Sequence, residues 1–187
     1  MLVLDDMTRK KRGEIWISAV LFFALGIIVI AMVLSASLPV VEKLKDRAVV
    51  AESKEVLLAL DSAISTVARE GPGSRREITS LTVNEGRLFI DSDTDLLRWE
   101  MKTSALIMEP DIPLREGVLS MMLHSTPVKG DYLMNLSISY HDRIDLLLES
   151  EYQSPFFGKY SMLISHKGNY TLSSEEKEIP VVTVKVT

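Results

Sequence analysis

Five consecutive residues, Asp91-Ser92-Asp93-Thr94-Asp95, carry carboxylates at alternate positions. Calcium is a hard cation that takes several oxygens from one loop, and calcium loops open in this way. The rest of such a loop is missing: Leu96 stands where the sixth position needs glycine, and Lys102 where the twelfth needs glutamate. The stretch is therefore read as an acidic hairpin turn. His124, His141 and His166 are far apart and lack the spacing of zinc ligands. They are read as ordinary strand or surface histidines, so neither a metal nor a cofactor is expected. Asn135-Leu136-Ser137 and Asn169-Tyr170-Thr171 match the N-x-[ST] acceptor pattern for glycosylation. Asn169 is the better candidate, because Gly168 suggests an exposed turn, whereas Asn135 falls in an expected strand. The chain has no cysteine, which excludes a disulfide framework and thiolate metal sites. It also lacks G-x-S-x-G and a phosphate-cradling glycine loop, so no enzymatic site is indicated.

The elements that would position these residues are short and regularly spaced. Ile78–Val83 reads as a strand, Asn84-Glu85-Gly86 as a turn, and Arg87–Ile90 as a second strand. Leu96–Lys102, Leu106–Glu109, Val118–Leu123, Tyr132–Tyr140, Ile144–Glu149, Tyr160–Ser165, Tyr170–Ser173 and Val181–Val186 continue the series. Short apolar-alternating runs separated by Gly, Asn, Asp and Pro predict an antiparallel sheet, sandwich or barrel. In Leu133–Tyr140 the alternation puts Leu136, Ile138 and Tyr140 on one face. Phe156-Phe157, between Pro155 and Gly158, reads as a loop pair that folds back on the core or, if exposed, offers a contact for a neighbouring subunit.

Ahead of the strands lies a different pattern. Ile15–Leu38 is a run of 24 residues without a charge. A bilayer core needs about 20 apolar residues in helical form, and lipid offers no other partner for the backbone. Arg9, Lys10, Lys11 and Arg12 precede the run, so the N-terminus is expected in the cytoplasm and the rest outside. After Pro39 an amphipathic helix is expected, with Val49, Val56, Leu60, Ala63, Ile64 and Val67 on one face and Lys54, Glu55, Asp61 and Arg69 pointing elsewhere. Gly71-Pro72-Gly73 should stop it. Ser35-Ala36-Ser37 resembles a signal-peptidase site, but the apolar stretch before it exceeds the ~7–15 residues of a secretory signal.

The basic run Lys10-Lys11-Arg12-Gly13, followed by Glu14 and the apolar helix, resembles the class III signal of archaeal type IV pilin-like proteins. The resemblance implies a cut between Gly13 and Glu14 by a prepilin-type peptidase. It further implies that the helix stays on the mature chain and that such helices bundle into a filament core under β-rich heads. Ala19, Ala24, Gly26, Ala31, Ser35 and Ala36 would allow close packing, although no GxxxG pair is present. The fifth mature position would be Ser18, where bacterial pilins carry glutamate; Glu14 is acidic at the first.

These readings combine into an α+β chain of 187 residues, one domain plus an anchor. Residues 1–13 form a basic leader, 14–39 a transmembrane helix, 40–71 an amphipathic continuation and 74–187 an extracytoplasmic antiparallel β domain, sheet or sandwich, covered by the long helix. Without the four basic and two acidic residues of 1–13, 17 Lys+Arg face 24 Asp+Glu, a balance of -7. That argues against nucleic acid as a partner. The expected partners are the lipid bilayer, a prepilin-type peptidase and other pilin-like subunits. The expected role is a structural subunit of a surface filament or its secretion or assembly machinery. An uncut surface-binding or stator-like module is the alternative, and a membrane-tethered enzyme ranks last.

Overall fold

The computed structural model describes residues 3–149, 154–172 and 177–187; for residues 3–15, 172 and 177 it describes the backbone alone. Met1, Leu2 and Ser173, the last residue of an expected strand, lie outside the described residues. The chain divides into two compact units, residues 1–42 and 43–187. A single helix, α1 (Val3–Glu70), contributes to both and contains Pro39.

Within the first unit, residues 16–38 of α1 are apolar and uncovered. From Trp16 to Leu38 every residue is exposed. Two serines of this segment bond back to the helix itself: the Ser37 hydroxyl donates to the Val33 carbonyl at 2.7 Å and the Ser35 hydroxyl to the Met32 carbonyl at 3.4 Å, as serine does in helices.

The second unit is an α+β domain. The distal part of α1 lies on a single eight-stranded sheet, ordered β3-β4-β5-β2-β1-β7-β8-β6. The strands are β1 (Arg75–Asp91), β2 (Leu96–Thr103), β3 (Leu114–Glu116), β4 (Leu119–Ser125), β5 (Tyr132–Ser139), β6 (Asp145–Glu149), β7 (Phe156–Leu172) and β8 (Lys177–Val186). All pairings are antiparallel except β6 with β8. The helix buries Val50, Ser53, Leu57, Leu60, Ile64 and Val67, alternating steps of three and four that make one stripe. The expected stripe overlaps this one but sits to one side: Val49, Val56 and Ala63 are only partly buried, and Leu57, fully buried, belongs at its centre. The helix stops at Gly71, whose φ of 90° suits glycine, and the Ser74 hydroxyl donates to the otherwise orphaned Val67 carbonyl at 2.8 Å.

Several strand readings change. Asn84-Glu85-Gly86 is no hairpin turn but a bulge inside the 17-residue β1, where the pairing with β7 slips between Val83 and Leu88. The slip has a purpose legible in the burial. Leu81 and Val83 face the core before it, Leu88 and Ile90 after it, so the inward parity switches from odd to even. Gly86 has φ 86°, and a Cβ there would lie 2.5 Å from the Glu100 carbonyl oxygen and 2.7 Å from Trp99 Nε1. The Trp99 indole donates instead to the Glu85 carbonyl at 3.1 Å. Tyr160–Ser165 and Tyr170 belong to one strand, β7, with a register shift between His166 and Gly168. Phe156 and Phe157 begin that strand rather than a loop; Phe156 is buried and Phe157 is exposed, as alternation requires. Residues 106–109 are irregular, and the three-residue β3 was not foreseen.

Candidate functional site

The acidic run 91–95 is a turn between β1 and β2, as expected, and the side chains of Asp91, Ser92, Thr94 and Asp95 are committed to the fold. Asp91 accepts from the Asp93 N–H at 3.0 Å and from the Thr94 hydroxyl at 2.7 Å. Those bonds, led by the one from Thr94, hold its carboxyl below the ordinary carboxylate range. Asp95 Oδ1 accepts from the Leu146 N–H at 2.8 Å, and the Ser92 hydroxyl oxygen accepts from the Leu148 N–H at 2.9 Å. The turn therefore satisfies amides of β6, the last strand in the sheet, and blunts an edge that could otherwise pair with another chain. No group of three or more possible metal-ligating side chains occurs among the described residues.

The two acceptor asparagines differ. Asn169 is exposed, and its Nδ2 donates to Glu178 Oε2 at 3.1 Å. It sits just after the β7 bulge, not in the turn inferred from Gly168. Asn135 is half-buried in β5, between Met122 of β4 and Glu100 of β2, and its Oδ1 is buried without a hydrogen-bond partner. Of the histidines, His166 is buried and accepts from the Gly168 N–H at 3.1 Å. His124 lies 3.4 Å from Asp111, and His141 3.5 Å from Asp142. Gly13 and Glu14 lie within α1, and their side chains are outside the described residues.

Two polar clamps tie α1 to the sheet. Asp46 accepts from the Ser104 N–H at 2.6 Å, the Ser104 hydroxyl at 2.9 Å and the Thr103 hydroxyl at 3.0 Å. Burial pushes the Asp46 carboxyl up, but these bonds together with the Ala105 N–H outweigh it and leave the carboxyl below its ordinary range. The buried Tyr140 hydroxyl donates to Asp61 Oδ1 at 3.0 Å. Burial first, and the Asp61 charge second, push the Tyr140 phenol far above its ordinary value. Asp61 therefore faces the sheet rather than solvent, contrary to the helical-wheel expectation.

Two exposed surfaces among the described residues can act on other molecules. One is the exposed apolar helix, long and apolar enough to cross a membrane. Phe22 and Phe23 are 75% and 73% exposed there, within a contiguous apolar surface of the kind that marks a membrane or protein contact. The other is a cleft of about 480 Å³ whose lining includes Arg115, Ser120, Ser137, Ser139 and Arg143. Sequence reasoning missed it, since these residues form no motif and are brought together only by strand register. No protein-family model matches the chain, nor does any curated protein or solved structure.

Proposed function

We propose that this chain is a membrane-anchored, pilin-like structural subunit of an archaeal surface filament or of the related secretion or assembly machinery. The observation that carries the reading is the division of labour along α1. Residues 16–38 are apolar and exposed all round, while Val50–Val67 belong to the core of a folded domain. A helix apolar on every side needs lipid or like helices around it. A helix built into a domain core cannot be shed without loss of that domain. Retaining one continuous hydrophobic helix on the mature chain meets both demands. The Lys10-Lys11-Arg12-Gly13 leader supports cleavage before Glu14 by a prepilin-type peptidase on the cytoplasmic side, with residues 74–187 outside.

An uncut leader would leave four basic residues ahead of the helix, and unpaired charges in an apolar bundle cost several kcal/mol or more. Gly13→Val should therefore keep the leader and prevent assembly. Chemical cross-linking of membranes should give a ladder of multimers for the wild type and monomer for Gly13→Val, with Ser18→Ala behaving as wild type. Identical cross-linking of wild type and Gly13→Val would contradict the reading. A second reading, an uncut anchor that holds a binding module at the surface, is favoured by one feature, the arginine-lined cleft.

A further inference from the structure

The cleft has the make-up of a binding site rather than of a solvated sheet face. Strand register places Arg115 opposite Ser120, Ser120 opposite Ser137, and Ser137 opposite Arg98, so all four side chains leave the same face in one row. Ser139 lies two residues beyond Ser137 on that face. The serines form a floor of short hydroxyls. Arg115 rises at one side from the edge strand β3, and Arg143 comes from the turn after β5. Arg143 is held in place: it donates to the Ser139 carbonyl and lies 5.7 Å from the centre of the Tyr140 ring. Its remaining N–H donors stay available, since a guanidinium has five.

Among the described residues the Arg115 guanidinium and the Ser120 and Ser137 hydroxyls have no side-chain partner. No acidic side chain is among the described residues that line the cleft, although the protein as a whole is acidic. Arg98, at the far end of the row, is already occupied by Glu100 at 2.6 Å and by the Phe89 ring at 4.5 Å. Asp142, next to Arg143 in sequence, lies 3.5 Å from His141 and acts on the Tyr170 phenol as well; it is not among the residues that line the cleft. The cleft thus presents the Arg115 guanidinium over a row of serine hydroxyls, with no acidic side chain among its described lining residues.

We propose that this cleft binds a sugar unit bearing an oxyanion, a carboxylate or a sulfate ester. Guanidinium groups match the planar or tetrahedral oxygens of such a group in paired hydrogen bonds. Serine hydroxyls both donate and accept, which suits the hydroxyls of a sugar ring. The cleft volume falls within the ~300–1,000 Å³ usual for small-ligand sites. The proposal is independent of leader cleavage and assembly.

The test is a titration of the full chain in detergent micelles with glucuronate, followed by saturation-transfer NMR, with glucose as a direct comparison and inorganic sulfate, which has no protons to observe, as a competitor that displaces glucuronate. Glucuronate should bind at least tenfold more tightly than either. Arg115→Gln should weaken it roughly tenfold, as loss of one charge-assisted contact does. Ser137→Val, which suits a strand but removes the floor hydroxyl, should weaken it several-fold, and Lys159→Gln, on an exposed site of β7, should leave it unchanged. Absence of glucuronate binding, or binding indifferent to Arg115→Gln, would overturn the proposal. Sulfate binding as tightly as glucuronate would overturn the sugar assignment, because the hydroxyl floor would then contribute nothing.

Discussion

Removal of the helix from the β-domain is the perturbation whose size can be worked out most fully. A fragment beginning at Gly73 keeps every strand but loses the α1 stripe. Five apolar side chains of that stripe, Val50, Leu57, Leu60, Ile64 and Val67, are between 0 and 7% exposed. Burial of each is worth about 1.5–3 kcal/mol, so the stripe supplies on the order of 10 kcal/mol, an upper figure because unfolded chains are already partly compact. That equals the ~5–15 kcal/mol by which a whole domain is ordinarily stable. The loss also uncovers the facing Trp99, Leu136 and Ile138 and breaks the Asp46 and Tyr140 clamps. Urea denaturation followed by tryptophan fluorescence should show a cooperative transition for residues 43–187 and none for residues 73–187. A single-residue version guards against trivial misfolding of the fragment. Leu57→Ala, at a fully buried position, should cost about 2–5 kcal/mol, whereas its neighbour Leu58, 36% exposed, should tolerate alanine within about 1 kcal/mol. Equal stability of the two fragments, or equal costs at 57 and 58, would refute the claim that this face of α1 completes the core.

Three further outcomes follow from particular contacts. Gly86→Ala should destabilise residues 43–187 by more than about 1–3 kcal/mol and shift Trp99 emission, since the new Cβ meets the Glu100 backbone at a positive φ; Gly71→Ala, with open space around it, should cost less. Asp46 titrates below the ordinary 3.8 when folded, so its stabilising contribution is whole above that value and is lost as pH falls through the lower folded one. Asp46→Asn should therefore flatten the acid limb of the stability profile below about pH 4, as read by urea midpoints against pH. Tyr140→Phe should cost about 1–2 kcal/mol by removing the hydroxyl that donates to Asp61, and in alkaline titration the Tyr140 phenol should ionise only with unfolding.

What could be read from the sequence tracked how local the signal was. The Leu133–Tyr140 alternation gave the right face because each inward residue is two positions from the next, and Leu136, Ile138 and Tyr140 are all fully buried. Gly86 misled because glycine marks both turns and bulges. What distinguishes them here is the Trp99 ring pressed against it from β2, a contact that spacing along the chain does not reveal. Gly168 misled in the same way. Asp61 looked like a solvent-facing carboxylate until Tyr140, far along the chain, supplied its partner. The arginine-lined cleft was illegible for a deeper reason. Its residues span Arg115 to Arg143 with no fixed spacing, and only the β3-β4-β5 register assembles them.

The central claim, that the apolar helix is kept on a chain cut after its basic leader, is tested most directly by the intact mass of the protein recovered from native membranes. The account predicts a mature chain that begins at Glu14 and retains the whole of residues 15–38. A chain that still begins at Met1, or one that has lost the helix through cleavage near Ser35-Ala36-Ser37, would contradict it.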